Sequence, residues 1–218
     1  NDNKSGFVQN AVGGGAVFVK NTVATFEGCV FEDNEANYYY GGERFWADKL
    51  CGGAIGCDDG SSLTVRNCKI IGNKASFGGG IGVLISSANI EDCYISENKA
   101  IPETESASGN LGLCSERGLG GAIYLNGATN VTVSNTEIRK NYAENAMGAI
   151  YTDYAPSLDY STRSVELLFC TIEGNTCKMN MSDYMGYGED RWLWYSWYTD
   201  FFDISYLEYY GNLVVDGI

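Results

Sequence analysis

The amino-acid sequence predicts an all-β protein, a single-stranded parallel β-helix, and two recurring signals support that fold class. The first is a glycine pair that opens a short apolar run. The second is an apolar residue followed three places later by asparagine. The two signals alternate along almost the whole chain. A repeat of roughly 20–50 residues is typical of a solenoid, so this repeat defines the fold.

The glycine signal reads Gly-Gly-Ala-Ile in its fullest form, and Met147 replaces the first glycine in its last copy. The asparagine signal follows each copy. Asparagine tolerates the left-handed backbone of a tight corner, and its side chain can bond to backbone groups. We therefore predict that asparagines at equivalent corners form a ladder through the stack. The predicted ladder comprises Asn10, Asn34, Asn73, Asn98, Asn141, Asn175 and Asn212.

The segments that end in these asparagines share one apolar order. In residues 63–73, 88–98 and 131–141 the first, third, sixth and eighth places hold apolar or small side chains. Two short alternating runs broken by a two-residue corner predict two half-buried strands that meet at a bend. Coils stacked at ~4.8 Å would enclose one long core and pair each strand with its equivalent. An antiparallel β-sandwich is the alternative, but hairpins do not need the same order on every pass.

We interpret residues 1–218 as a single β-helix segment of a longer solenoid or of a stacking subunit. Asn10 and Asn34 are separated by a nearly bare repeat, whereas longer separations indicate lateral insertions. Residues 202–212 fit the apolar order place for place and predict a further coil. Both termini fall within the repeat, so we expect uncapped ends that contact copies of the chain or flanking coils. The predicted insertions lie at about 37–50, 101–117, 153–163 and 178–200.

The composition is strongly acidic, with 28 Asp and Glu, 14 Lys and Arg, no histidine and a net charge of −14. This balance argues against nucleic acid as a partner, because phosphates are bound by clusters of Lys and Arg. Acidity also keeps a long β surface soluble and discourages edge-to-edge pairing. No apolar run approaches the ~20 residues of a membrane helix, so no membrane insertion is predicted.

Four of the eight cysteines occupy one place in the repeat, five residues before the ladder asparagine, where Thr136 stands in another coil. We interpret them as a stacked column of small buried side chains. Three others lie in or beside the insertions and are candidates for a disulfide, whose pairing the sequence does not give. No C-x-x-C spacing supports a metal site. The column comprises Cys29, Cys68, Cys93 and Cys170, and the disulfide candidates are Cys51, Cys114 and Cys177.

Two of the insertions are rich in aromatic residues. They are interpreted either as bulky loops packed on the coil wall or as an exposed surface for a partner subunit or a sugar ring. Aromatic side chains give a large contact area at low entropic cost. The candidates for such an aromatic interface are Tyr38, Tyr39, Tyr40, Trp46, Trp192, Trp194 and Trp197.

An enzymatic alternative is a pectin-lyase-like enzyme, which needs clustered carboxylates. The nearest candidate is Asp58-Asp59, but neighbouring residues on a strand point to opposite sides, so a solvated corner is the preferred interpretation. No catalytic residue and no cofactor is therefore predicted. Structural calcium is compatible with the acidity but is not signalled by a motif. Asn3, Asn130 and Asn180 have the form of N-glycosylation acceptors, and Asn130, before a strand, is expected to be exposed.

The alternation of GGA[IV] with [FI]xxN, from Phe7 to Asn212, resembles the repeat of the chlamydial polymorphic outer-membrane proteins and of related adhesin-like surface proteins. The resemblance implies a right-handed parallel β-helix displayed outside the cell for adhesion or as a surface structure. Isoleucine replaces phenylalanine in four closing motifs. The expected function is an extracellular, glycosylated structural or adhesive solenoid, a fibre or filament component. Its partners would be copies of itself, surface glycans or a host surface. The alternative is a carbohydrate-active or carbohydrate-binding β-helix.

Overall fold

The structure is a computed structural model in which every regular element of the described residues is a β-strand. The described residues are 4–5, 14–36, 51–101, 118–144, 147–153, 164–177 and 209–216. The predicted insertions lie outside them, apart from the boundary residues Ile101 and Asp153.

Most coils contain four strands in a fixed order of four, five, three and two residues. The two middle strands are the pair predicted from the apolar order. The last, two-residue strand follows each ladder asparagine and was not predicted. In the fifth coil the five- and three-residue strands merge into one strand of ten residues. The strands are β1 Lys4–Ser5; β2 Val17–Lys20, β3 Val23–Glu27, β4 Val30–Glu32, β5 Glu35–Ala36; β6 Ile55–Asp58, β7 Ser62–Arg66, β8 Lys69–Ile71, β9 Lys74–Ala75; β10 Ile81–Leu84, β11 Ser87–Glu91, β12 Tyr94–Ser96, β13 Lys99–Ala100; β14 Ile123–Asn126, β15 Asn130–Ser134, β16 Glu137–Arg139, β17 Tyr142–Ala143; β18 Ile150–Asp153, β19 Ser164–Glu173, β20 Thr176–Cys177; and β21 Tyr209–Asp216.

The strands form three sheets that run along the solenoid axis, and equivalent strands pair in parallel. The glycine sheet has the order β18-β14-β10-β6-β2, and the short-strand sheet has the order β1-β5-β9-β13-β17-β20. The long sheet contains the five- and three-residue strands together with β21. Equivalent residues pair directly, as in Leu63 with Ala88 and Ala88 with Val131. The structure confirms the predicted parallel β-helix.

One continuous apolar core lies inside the coils. Alternate residues of each long-sheet strand point into it, as Leu63 and Val65 do in β7, while Thr64 and Arg66 are only half buried. Because a strand's side chains alternate between its two faces, the apolar order of the sequence places the first, third, sixth and eighth residues inside. Ile70, Ile95, Ile138 and Ile172 stack in this core, one for each of four coils.

The two glycines of the motif are required for two different physical reasons. The first glycine of three copies adopts a left-handed backbone, at φ 82° for Gly52, 61° for Gly78 and 68° for Gly120. The second glycine is required by close approach: a Cβ on Gly79 would lie 2.4 Å from both the Gly121 carbonyl oxygen and the Lys99 nitrogen. The motif thus marks the point where the chain turns tightly against its neighbouring coil.

The chain reverses direction after the fifth coil. β21 pairs with β19 in the antiparallel sense, with Leu213 opposite Leu167 and Tyr209 opposite Ile172. Residues 209–212 therefore belong to this reversed strand and not to the predicted further parallel coil, and Asn212 lies outside the ladder; residues 202–208 lie outside the described residues. At the C-terminal edge of the long sheet, β21 lies on the outer edge of β19.

Candidate functional site

The asparagine ladder is the most regular polar feature of the molecule. Five asparagines lie in single file, and each of the first four donates from its backbone N–H and its Nδ2 to the Oδ1 of the next, at 2.8–3.0 Å. All five side chains are buried. The residues of this ladder are Asn34, Asn73, Asn98, Asn141 and Asn175.

The apolar residue three places before each asparagine also has a polar role. The Nδ2 of Asn73 donates to the Phe31 carbonyl at 3.0 Å, and the Nδ2 of Asn98 donates to the Ile70 carbonyl at 2.9 Å. Asn141 and Asn175 make the equivalent bonds to the previous coil. The [FI]xxN motif therefore supplies a core side chain and a carbonyl acceptor from one residue, and an amide from the other.

The left-handed corner lies one residue earlier than the sequence prediction placed it. The ladder asparagines do not have positive φ, whereas the residue before each of them does, including Asp33 at 52°, Glu97 at 60° and Lys140 at 53°. Gly72 and Gly174 hold the same place in two other coils. The asparagine is selected for its buried amide, and its predecessor makes the turn.

Asn10 lies outside the described residues. Every described ladder asparagine directly precedes a two-residue strand, and β1 pairs with β5 so that Lys4 is opposite Glu35.

The predicted cysteine column is present, and its thiols make sulfur hydrogen bonds to neighbouring backbone. The Cys93 Sγ donates to the Glu91 carbonyl at 3.1 Å, and the Thr136 Oγ1 makes the equivalent bond to Ser134 at 2.8 Å. Burial raises the pKa of Cys68 and Cys170, and it raises the pKa of Cys93 to about 11. These raised pKa values are typical of inert core thiols rather than nucleophiles. All four members of the column, Cys29, Cys68, Cys93 and Cys170, are free thiols.

The structure separates two of the disulfide candidates. The backbone of Cys51 pairs with that of Phe77 in the next coil through an isolated β-bridge. Cys177 lies in β20, two residues after the ladder asparagine of the last coil. About three coil steps, from the second coil to the fifth, lie between them, which is roughly 14 Å along the axis. Disulfides need Cα atoms within about 7 Å, so this pair cannot form one within a molecule. Cys114 lies outside the described residues.

An aromatic cluster forms where the sequence analysis did not predict one. Tyr124 stacks on Tyr151 at a ring-centroid separation of 5.5 Å, and Phe77 packs on Tyr124 at 4.9 Å. Together with Met147 and Leu119 they form a second apolar cluster separate from the main core. The sequence carries one signal for this cluster: in two copies of the glycine motif a tyrosine, Tyr124 or Tyr151, directly follows the isoleucine. The predicted interface residues Tyr38, Tyr39, Tyr40, Trp46, Trp192, Trp194 and Trp197 lie outside the described residues.

The remaining polar candidates occupy the solenoid wall. Asp58 is buried and accepts the Asp59 N–H at 2.8 Å, while exposed Asp59 turns at φ 60° and lies 3.9 Å from the Lys20 Nζ. The pair therefore builds a corner, as the preferred interpretation predicted. In the described ranges no group of three or more His, Cys, Asp or Glu side chains is arranged to hold a metal ion. Asn130 is exposed, whereas Asn180 and Asn3 are not described.

At the N-terminal edge of the long and glycine sheets, the described residues contain no further strand. The Asn34 Oδ1 is buried and has no hydrogen-bond partner, although the equivalent atom in every later rung accepts two bonds. Inward-facing Phe26 and Ala24 are half buried, while Val65 and Ile90, which follow Phe26 in register, are fully buried. Among the described strands, none pairs with the outer edge of β2, β3 or β4.

The hydrogen-bond pattern defines which groups this open edge presents. Ser62 N–H donates to the Thr22 carbonyl, and Gly28 N–H donates to the Arg66 carbonyl. Because peptide groups alternate sides along a strand, those of Val23, Thr25 and Glu27 point away from β7. Among the described strands, these N–H and C=O groups have no partner.

Comparison with known families agrees with this geometry. A family model for a right-handed β-helix region matches residues 3–152 and 49–188. The chain belongs to the right-handed β-helix family. Membership of this family gives the hand of the coil. No curated protein and no solved structure matched the chain. Among the described residues of this β-helix there is no helix with the length and apolar character that a membrane crossing needs.

Proposed function

We propose that this right-handed β-helix is a structural and adhesive component of an extracellular surface fibre, extended along its axis by end-to-end contacts. The observation that carries the proposal is the buried, unpartnered Asn34 Oδ1 at the N-terminal end. A buried acceptor without a partner costs roughly 1–3 kcal/mol, and a donor supplied by a further rung at this end would remove that cost.

Three further features support a structural role outside the cell. The repeat resembles that of the chlamydial polymorphic outer-membrane proteins, which implies display on a surface. The outer wall carries an exposed acceptor sequence at Asn130, which suits glycosylation. The net charge of −14 keeps such a surface soluble. The corner geometry of Asp58 and Asp59 gives no support to the carbohydrate-active alternative.

The test is to locate the protein on the cells that produce it. Gold-labelled antibodies against the chain should decorate extended structures on intact, unpermeabilised cells, and external protease should remove the label. Labelling confined to the cell interior, with no signal on intact cells, would overturn the proposal.

A further inference from the structure

We propose that Cys29 and Cys68 form a disulfide that fastens two neighbouring coils when the protein meets an oxidant. In the structure both are free thiols of the cysteine column. Val30 pairs with Lys69 in the strands that directly follow them, so the two cysteines lie opposite each other. The bond would fasten the coils whether or not the chain forms fibres, and it therefore goes beyond the proposed function.

The backbone spacing at this pair suits a disulfide. Neighbouring strands of a sheet lie about 4.8 Å apart, and disulfides join Cα atoms that are roughly 4.4–6.8 Å apart. Backbone hydrogen bonds hold the pair in register on both sides. The Gly28 N–H donates to the Arg66 carbonyl at 3.0 Å, and the Lys69 N–H donates to the Cys29 carbonyl at 2.9 Å. The two cysteines therefore lie within bridging distance without a shift of either coil.

The Cys68 sulfur already lies beside the main chain of the opposite coil. The Cys29 N–H donates to the Cys68 Sγ at 3.4 Å, and the same sulfur lies 3.5 Å from the Phe26 carbonyl oxygen. The Cys29 Sγ donates instead to the Glu27 carbonyl of its own coil at 3.4 Å. A rotation of the Cys29 side chain about its Cα–Cβ bond would turn its sulfur toward that of Cys68.

Among the column cysteines, the other pairs lack one of these conditions. Cys68 and Cys93 are both buried, whereas Cys29 is half buried and can meet a reagent in solvent. Thr136 lies between Cys93 and Cys170 in register, which leaves those two cysteines two layers, about 9.6 Å, apart. Cys170 therefore has no column cysteine opposite it in the coil before and provides an internal control.

A small-molecule disulfide such as oxidised glutathione would supply the oxidant. The Cys29 thiolate attacks one sulfur of that reagent, which forms a mixed disulfide and releases one reagent thiol. The Cys68 thiol then gives its proton to water, and its sulfur attacks the Cys29 sulfur and expels the second reagent thiol. The two cysteines lose two protons and two electrons, and the reagent gains them. Burial raises the pKa of Cys68, but the fixed proximity of the two sulfurs favours this second step.

Peptide mapping tests the bond directly. The purified, folded chain is incubated with oxidised glutathione, denatured in N-ethylmaleimide so that remaining thiols are blocked, and cut with trypsin. Cleavage after Lys and Arg separates the column cysteines, with Cys29 in peptide 21–44 and Cys68 in peptide 67–69. We expect these two peptides to be joined. A link from Cys68 to Cys93, glutathione left on Cys29 without a link, or no oxidation at all would overturn the proposal.

Two variants separate this bond from general oxidation. Cys29→Ser removes one partner and should abolish the linked peptide. Cys170→Thr introduces the side chain that Thr136 has at the same place, and it should leave the link unchanged.

Thermal unfolding measures what the bond does. A disulfide that closes a loop of about 40 residues is typically stabilising, so wild type and Cys170→Thr should melt roughly 5–10 °C higher when oxidised than when reduced. Oxidised and reduced Cys29→Ser should melt together. A link with no rise in melting temperature, or an equal rise in Cys29→Ser, would show that the bond does not fasten the coils.

Discussion

At the scale of single residues, the ladder shows why asparagine recurs in every coil. The Asn73 side chain accepts two hydrogen bonds from Asn34 and donates to Asn98 and to the Phe31 carbonyl. Aspartate has no donors for these bonds, and an apolar residue has neither donors nor acceptors. The position of the ladder was predictable because the spacing alone identifies it. The identity of the turning residue was not, because Asp, Glu, Lys and Gly all occupy it and share no sequence signal.

Replacement of a middle rung should be strongly destabilising. Asn98→Leu removes the acceptor for the Asn73 N–H and Nδ2, and it removes the Nδ2 donor to the Asn141 Oδ1. The Asn73 N–H is left without a partner, which costs about 1–3 kcal/mol, and the other two groups each lose one bond worth about 0.5–1.5 kcal/mol, so we expect a loss of roughly 2–6 kcal/mol in the free energy of unfolding. Urea denaturation followed by circular dichroism measures this loss.

The control for the rung is Asn67→Asp, which changes an exposed corner residue at φ 51°. Aspartate also tolerates this backbone, so we expect a change within about 0.5 kcal/mol. Equal effects of the two substitutions would contradict a special role for the ladder.

The buried thiol of Cys93 should make stability depend on alkaline pH. Its pKa is about 11 in the folded protein against an ordinary value of 9.0, so the folded state keeps its proton where the unfolded state loses it. The stabilisation is complete below pH 9 and is lost as the pH rises to about 11. Cys93→Thr introduces the side chain that Thr136 provides in the next coil, and it should leave stability at pH 7 within about 1 kcal/mol.

The measurement is urea unfolding of both proteins at pH 7, 9, 10 and 11. The wild type should lose more stability than Cys93→Thr between pH 9 and 11. Parallel curves would show that the thiol does not titrate in this window. Because other groups titrate in both proteins, only the difference between the curves reports on Cys93.

At the scale of the elements, the glycine motif joins the coils. The second glycine of the first four copies lies against the carbonyl of the equivalent glycine in the next coil, as Gly53 does against Gly79 and Gly79 against Gly121. The sequence predicted that the pair opens a strand. It did not indicate that the second glycine is limited by contact between coils, because that contact joins residues that are far apart in sequence.

Gly79→Ala should therefore act through steric overlap. Its Cβ would meet backbone of both Gly121 and Lys99, which cannot move aside as a flexible side chain could. We expect the loss of about 1–3 kcal/mol that is typical of overpacking, seen as a lower melting temperature. Gly28→Asn is the control: Gly28 has φ 63° and nothing within 4 Å of its Cβ position, and asparagine occupies the equivalent corner at 67. A similar drop in both variants would mean that backbone strain, not close approach, explains the motif.

At the scale of the whole molecule, the stack was predictable because each coil contacts only its neighbours and repeats the same apolar order. The reversal at β21 was not predictable, since residues 202–212 fit that order and an alternating pattern does not specify strand direction. The second cluster around Tyr124 was also missed, because it depends on the outward side of the glycine sheet, which the repeat alone assigns to solvent.

The direction of the ladder gives the molecule an electrical polarity. From Asn73 onward each rung turns its amide oxygen toward the N-terminal coil, and each of the first four rungs donates from Nδ2 to the amide oxygen of the next rung on the C-terminal side. Aligned amide dipoles add and polarise one another in a low-dielectric interior, as peptide dipoles do along an α-helix. A row of five side chains thus leaves a fractional negative pole at one extremity of the rod and a fractional positive pole at the other, so that unlike poles attract and like poles repel.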